Sequence, residues 1–141
     1  MNKAIVLLAL SQAWTLALAQ SIDPPVVLEP QRAGAVSYVC GGVGEGEQQA
    51  IKAQAGKYDL MLTFAVSHGA YLADVDVEIK DAKGAVVLST RCDGPIMLVD
   101  LPGAGSWRVT AHANGLSRQK TIKAGTGRLV QATLIWPAGA S

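Results

Sequence analysis

From Lys57 onward, apolar and polar residues alternate with a period of two. Tyr58, Leu60, Leu62, Phe64 and Val66 share one face, and Asp59, Met61, Thr63 and Ala65 the other, as a half-buried strand requires. After a turn at Ser67-His68-Gly69-Ala70, residues Val75, Val77 and Ile79 alternate with Asp74, Asp76, Glu78 and Lys80. That spacing predicts an antiparallel strand with its apolar side inward and its charges outward. Asp81-Ala82-Lys83-Gly84 is a hairpin turn with glycine at its left-handed position, and residues 86–90 form the returning strand. Asp93-Gly94-Pro95 turns the chain into an apolar run, Ile96-Met97-Leu98-Val99, that ends at Leu101. Pro102, Gly103 and Gly105 then make a reverse turn, after which Trp107, Val109 and Ala111 alternate with Arg108, Thr110 and His112. Asn114-Gly115, the strongest two-residue hairpin signal in the chain, joins that strand to residues 116–123. Arg118, Lys120 and Lys123 mark 116–123 as an edge strand whose charges discourage pairing with other molecules. A last strand, 129–136, ends at Pro137.

Upstream the pattern is weaker. Residues 20–34 contain Pro24, Pro25 and Pro30 and read as an extended arm. Residues 35–40 form a first strand, and 41–47 are too rich in glycine for any regular element. Residues 48–55 are good helix formers with Gly56 at the position of a C-terminal cap, which predicts one short helix. Seven or eight short strands with turns every eight to twelve residues describe an all-β antiparallel sandwich or small barrel. Its limits are 35–137, followed by a tail, 138–141.

The first nineteen residues carry a different signal. Asn2-Lys3 is a short basic stretch, residues 4–18 are almost wholly apolar, and Ala17-Leu18-Ala19 is the small-x-small pattern of signal peptidase. Residues 1–19 are thus expected to be a cleaved signal peptide, with the cut between Ala19 and Gln20. Ser11, Gln12 and Thr15 interrupt the run and argue against a retained anchor, so no membrane insertion is expected after cleavage. Removing Lys3 with the leader leaves eleven basic side chains against eleven acidic ones. A neutral chain with interspersed signs lacks the basic stripe that nucleic acid or anionic lipid would need. Cys40 and Cys92 are the only cysteines, both in the exported part, and in an oxidising compartment they are expected to pair. The bridge would pin the glycine-rich loop to the strand framework.

Two segments resemble the carboxypeptidase regulatory-like domains, which are transthyretin-like β-sandwiches. Val75, Val77, Asp81 and Gly84 match the family's first strand and hairpin, and Leu101, Pro102, Gly103 and Val109 match its second. The stretch Tyr38-Val39-Cys40-Gly41-Gly42 and its continuation is similar to the start of exported proteobacterial proteins of this type. The chain departs from the family at Ala104-Gly105, where a second Pro and a Gly are usual, and at Trp107, where Tyr is usual. The resemblance implies a transthyretin- or immunoglobulin-like sandwich and says far more about fold than about function.

No chemistry-bearing motif survives inspection. The glycine-rich loop lacks the Gly-Lys-Ser/Thr of a P-loop, and Glu45 and Glu47 repel phosphate. Asp74, Asp76 and Glu78 have strand spacing, while an EF-hand begun at Asp74 would need Gly and Glu where Ile79 and Ala85 stand. His68 and His112, the only histidines, fall in a turn and on an outward strand position, and there is no Gly-x-Ser-x-Gly elbow. No catalytic residue, cofactor or metal is therefore expected. The function expected is a non-enzymatic β-sandwich, periplasmic or secreted, that contacts a protein or envelope component. The alternatives are a ligand-binding barrel and a small transthyretin-like hydrolase, for which His68 and His112 would have to converge in one pocket with Arg108 or Arg118.

Overall fold

The computed structural model describes residues 26–139; the leader and its cleavage site lie outside the described residues. Among the described residues two sheets form from nine strands, with one α-helix between the second strand and the third. The strands are β1 (Gln31–Ala33), β2 (Val36–Gly41), β3 (Leu60–Val66), β4 (Val75–Lys80), β5 (Val86–Cys92), β6 (Ile96–Asp100), β7 (Gly105–Ala113), β8 (Leu116–Ala124) and β9 (Val130–Trp136). Helix α1 (Gly44–Gln54) runs into a 3₁₀ turn, Ala55–Lys57. One sheet has the order β1-β2-β6-β3-β9 and the other β5-β4-β7-β8.

The alternation sets the inner faces as expected. Leu60, Leu62, Phe64 and Val66 of β3, Val75, Val77 and Ile79 of β4, and Trp107, Val109 and Ala111 of β7 fill the space between the sheets. Each fully buried side chain of this size contributes about 1.5–3 kcal/mol relative to exposure. Phe64 meets Trp136 edge to face, with ring centroids 6.2 Å apart. Both tight hairpins are present. Asp81 Oδ1 accepts the backbone N–H groups of Lys83 and Ala85, each at 2.9 Å, and closes the β4–β5 turn. Asn114 and Gly115 both take positive φ, 48° and 79°, as a two-residue turn between right-twisted strands demands. Strand β8 lies at a sheet edge, where Lys120 Nζ donates to the Thr133 carbonyl of β9 and Trp136 Nε1 donates to the Leu116 carbonyl.

Four features differ from the sequence reading. The arm supplies a ninth strand, β1, which doubles back on β2. The helix begins at Gly44 within the glycine-rich stretch, because Ile51 is fully buried against Val39, Ile96 and Leu98 on the outer face of the five-stranded sheet. Glu45 and Glu47 also lie in its first turn, where carboxylates complement the helix dipole, and packing outweighs the low helix propensity of glycine. The turn after β6 is not a hairpin, since β6 belongs to the five-stranded sheet and β7 to the other. Finally, β9 pairs with β3 in parallel, not antiparallel. The Val130 N–H donates to the Asp59 carbonyl just before β3, and from there β9 runs alongside β3 in the same direction.

Candidate functional site

Strand register assembles the outer face of the four-stranded sheet largely from polar side chains, with the exposed Val86 of β5 opposite Lys80 at one end. Asp76 of β4 stands between Arg91 of β5 and His112 of β7, and His112 faces Ser117 of β8. In the next row Glu78 stands between Ser89 and Thr110, and Thr110 faces Gln119. In the third, Lys80 faces Arg108, which faces Thr121. The valines and isoleucine of β4 face the core, so the pleat sends every polar partner outward.

The first two rows line a groove of about 500 Å³. Arg91 Nε lies 3.5 Å from Asp76 Oδ1, Lys80 Nζ lies 3.3 Å from Glu78 Oε1, and His112 Nδ1 is 2.8 Å from Ser117 Oγ. These exposed ion pairs contribute little to stability, which leaves their donors and acceptors available to a polar partner. The row Ser117, His112, Asp76 contains the residue types of a serine hydrolase in a different arrangement. Ser117 sits on Nδ1, the nitrogen that a triad gives to its carboxylate, and the Asp76 carboxylate is paired with Arg91. Asp76 and Glu78 are both engaged by cations, and among the described residues no group of three or more His, Cys, Asp or Glu side chains is placed to hold a metal ion.

Cys40 and Cys92 form the disulfide, with Cα atoms 5.5 Å apart. Cys92 is the last residue of β5 and not part of the following turn, so the bridge joins the two sheets and does not merely restrain a loop. Beside it Gly94 packs against the backbone of Gly41, and a Cβ at residue 94 would overlap it. Tyr38 makes a second tie between the sheets through its hydroxyl, which is 3.1 Å from Thr90 Oγ1 and donates to Gln31 Oε1. His68 is not among the side chains that line the groove around His112. His68 occupies the turn that follows β3 in one sheet, and His112 lies on β7 in the other. Arg118 shares the side of the buried Ala111, away from the groove.

A second cluster was not legible in the sequence. Asp59, just before β3, and Asp100, at the end of β6, hydrogen-bond to each other, and Asp59 Oδ2 also accepts the Leu101 N–H at 2.9 Å. The shared hydrogen bond, helped by partial burial and by the Asp59 charge, raises the Asp100 carboxyl above the usual carboxylate range, against a smaller opposing pull from Arg32. Partial burial and the Asp100 charge push the Tyr58 phenol up. The two carboxyls come from distant segments, and only the Leu60–Val99 register sets them side by side.

Compared with protein-family models, curated proteins and solved structures, the chain matches none. Among the described residues no helix is long and apolar enough to cross a membrane. The Cys40–Cys92 bridge is consistent with a compartment outside the cytoplasm.

Proposed function

We propose that this chain is an exported, non-enzymatic β-sandwich of the carboxypeptidase regulatory-like type, periplasmic or secreted, that acts by contacting a protein or envelope component. The outer face of the four-stranded sheet is the contact surface. The observation that carries this reading is the asymmetry of the two outer faces. Helix α1 and the 3₁₀ turn after it cover the middle of the five-stranded sheet with Ile51 and Ala55, whereas the other sheet presents three largely polar rows and a groove to solvent. A partner rich in hydrogen-bonding groups suits such a face, because its paired charges and hydroxyls offer both donors and acceptors. The disulfide and the leader pattern support export, and the β4–β5 hairpin motif supports the family likeness. The test is site-specific photocrosslinking in the native compartment. A crosslinker at Thr110 should capture a discrete partner, and one at Gln131 on the opposite sheet should not; equal capture from both positions would refute the assignment of the face.

A second reading, a small hydrolase of transthyretin-like build, is favoured by one contact, the 2.8 Å approach of Ser117 Oγ to His112. Labelling of Ser117 by a serine-reactive fluorophosphonate, abolished by His112→Ala, would favour it over the binding reading.

A further inference from the structure

At the end of this face away from His112, basic side chains scattered through the sequence come together. Lys80 and Arg108 are directly opposed on β4 and β7, Ser106 opposes Lys123, and Arg108 opposes Thr121. Lys83 joins them from the hairpin turn, and Lys83, Ser106, Arg108 and Thr121 line a depression of about 400 Å³ separate from the groove. Like charges directly opposite each other on antiparallel strands are destabilising. Lys80 is drawn along its own strand to Glu78, which leaves Arg108 without an ion-pair partner among the described residues. The carboxylate that lines the depression, Asp81, is turned into the hairpin, where its Oδ1 holds the N–H groups of Lys83 and Ala85.

We infer that this depression is a seat for a tetrahedral oxyanion, a phosphate or sulfate group, either free or borne by a larger molecule. An oxyanion beside Arg108 supplies the counter-charge that this guanidinium lacks and offsets its repulsion with Lys80, directly opposite across the strands. The planar guanidinium of Arg108 matches two oxygens of such a group, and Lys83, Ser106 and Thr121 supply further donors to the others. The near-neutral charge of the whole chain conceals this local excess, because Asp76 near the start of β4 and Asp74 just before it lie away from the depression. The seat stands independently of the groove around His112 and of any partner bound there.

The test is a titration of the folded protein, at constant ionic strength, with inorganic phosphate, sulfate, a sugar phosphate monoester and, as a control, chloride. Backbone amide shifts of Lys83, Ser106, Arg108 and Thr121 should saturate with the three oxyanions and not with chloride. Arg108→Gln should weaken binding by about tenfold or more, roughly the loss of one charge-assisted hydrogen bond, whereas Lys57→Gln, in the 3₁₀ turn after α1, should not change it. Arg108→Gln should also melt higher than the parent without phosphate and lose the rise in melting temperature that phosphate gives the parent. Tighter binding of the sugar phosphate identifies a group borne by a larger molecule, and tighter binding of inorganic phosphate identifies a free ion; both support the seat. Shifts that fail to saturate, or an equal phosphate response in Arg108→Gln, would overturn it.

Discussion

The carbonyl of Gly103 packs directly against Gly125, so closely that a Cβ at residue 125 would overlap it. This contact holds the crossover between β6 and β7 against the end of β8. Gly125 has φ 97°, which adds a penalty of about 1–2 kcal/mol for any L side chain, and the overlap adds about 1–3 kcal/mol more. Gly127, at φ 82° with open space around it, carries the first penalty alone. Gly125→Ala should therefore lower stability clearly more than Gly127→Ala in urea unfolding, and equal losses would refute the close approach as the cause.

Replacing both Cys40 and Cys92 with serine releases a cross-link between residues 52 apart in sequence. Chain entropy puts the loss at about 4 kcal/mol, or roughly 15 °C in melting temperature for a domain of this size. Thermal melts of the oxidised protein, the reduced protein and the double variant check this. The last two should agree with each other and fall well below the first.

The Asp59–Asp100 pair makes a pH prediction of definite sign. Asp100 holds its proton more tightly folded than unfolded. Its proton therefore favours the folded state, fully so below the unfolded carboxyl pKa, and that contribution is lost as pH rises through the raised folded value. Asp100→Asn keeps a donor for Asp59 and removes the repulsion. The variant should melt above the parent at neutral pH, and the gap should close as the pH is lowered through the carboxylate range. A gap that widens in acid would exclude the shared proton.

Ile51 is the fully buried contact that fastens α1 to the five-stranded sheet. Ile51→Ala should cost about 2–5 kcal/mol. The loss should be local, with hydrogen exchange accelerating across 44–54 more than in β3 or β7. Leu62→Ala, in the core between the sheets, should accelerate exchange in both sheets together.

Much of the site was legible one strand at a time. Period-two spacing assigned Asp76, Glu78, Lys80, Arg108, Thr110 and His112 to outward positions, and they lie on the outer face. Their neighbours across the strands were not legible. The meeting of Lys80 with Arg108, or of Asp59 with Asp100, depends on register between segments far apart in the chain, and alternation within a segment is blind to it.

The sequence by itself determined the positions of strands β2 to β9, inward faces, the two tight hairpins, the edge character of β8 and the pairing of Cys40 with Cys92. Each rests on simple chemistry: the pleat repeats every two residues, Asn114-Gly115 and Asp81-Ala82-Lys83-Gly84 close turns with their own atoms, and two cysteines in one chain have only each other to pair with. The tertiary structure decided which sheet each strand joined, the parallel course of β9 beside β3, the crossover at Pro102-Gly103-Ala104 and the helical start at Gly44. Those outcomes turn on free energy gained between distant segments. Burial of Ile51 outweighs the glycines of α1, and β9 takes its direction from its hydrogen bonds to β3, which begin where the Val130 N–H meets the Asp59 carbonyl.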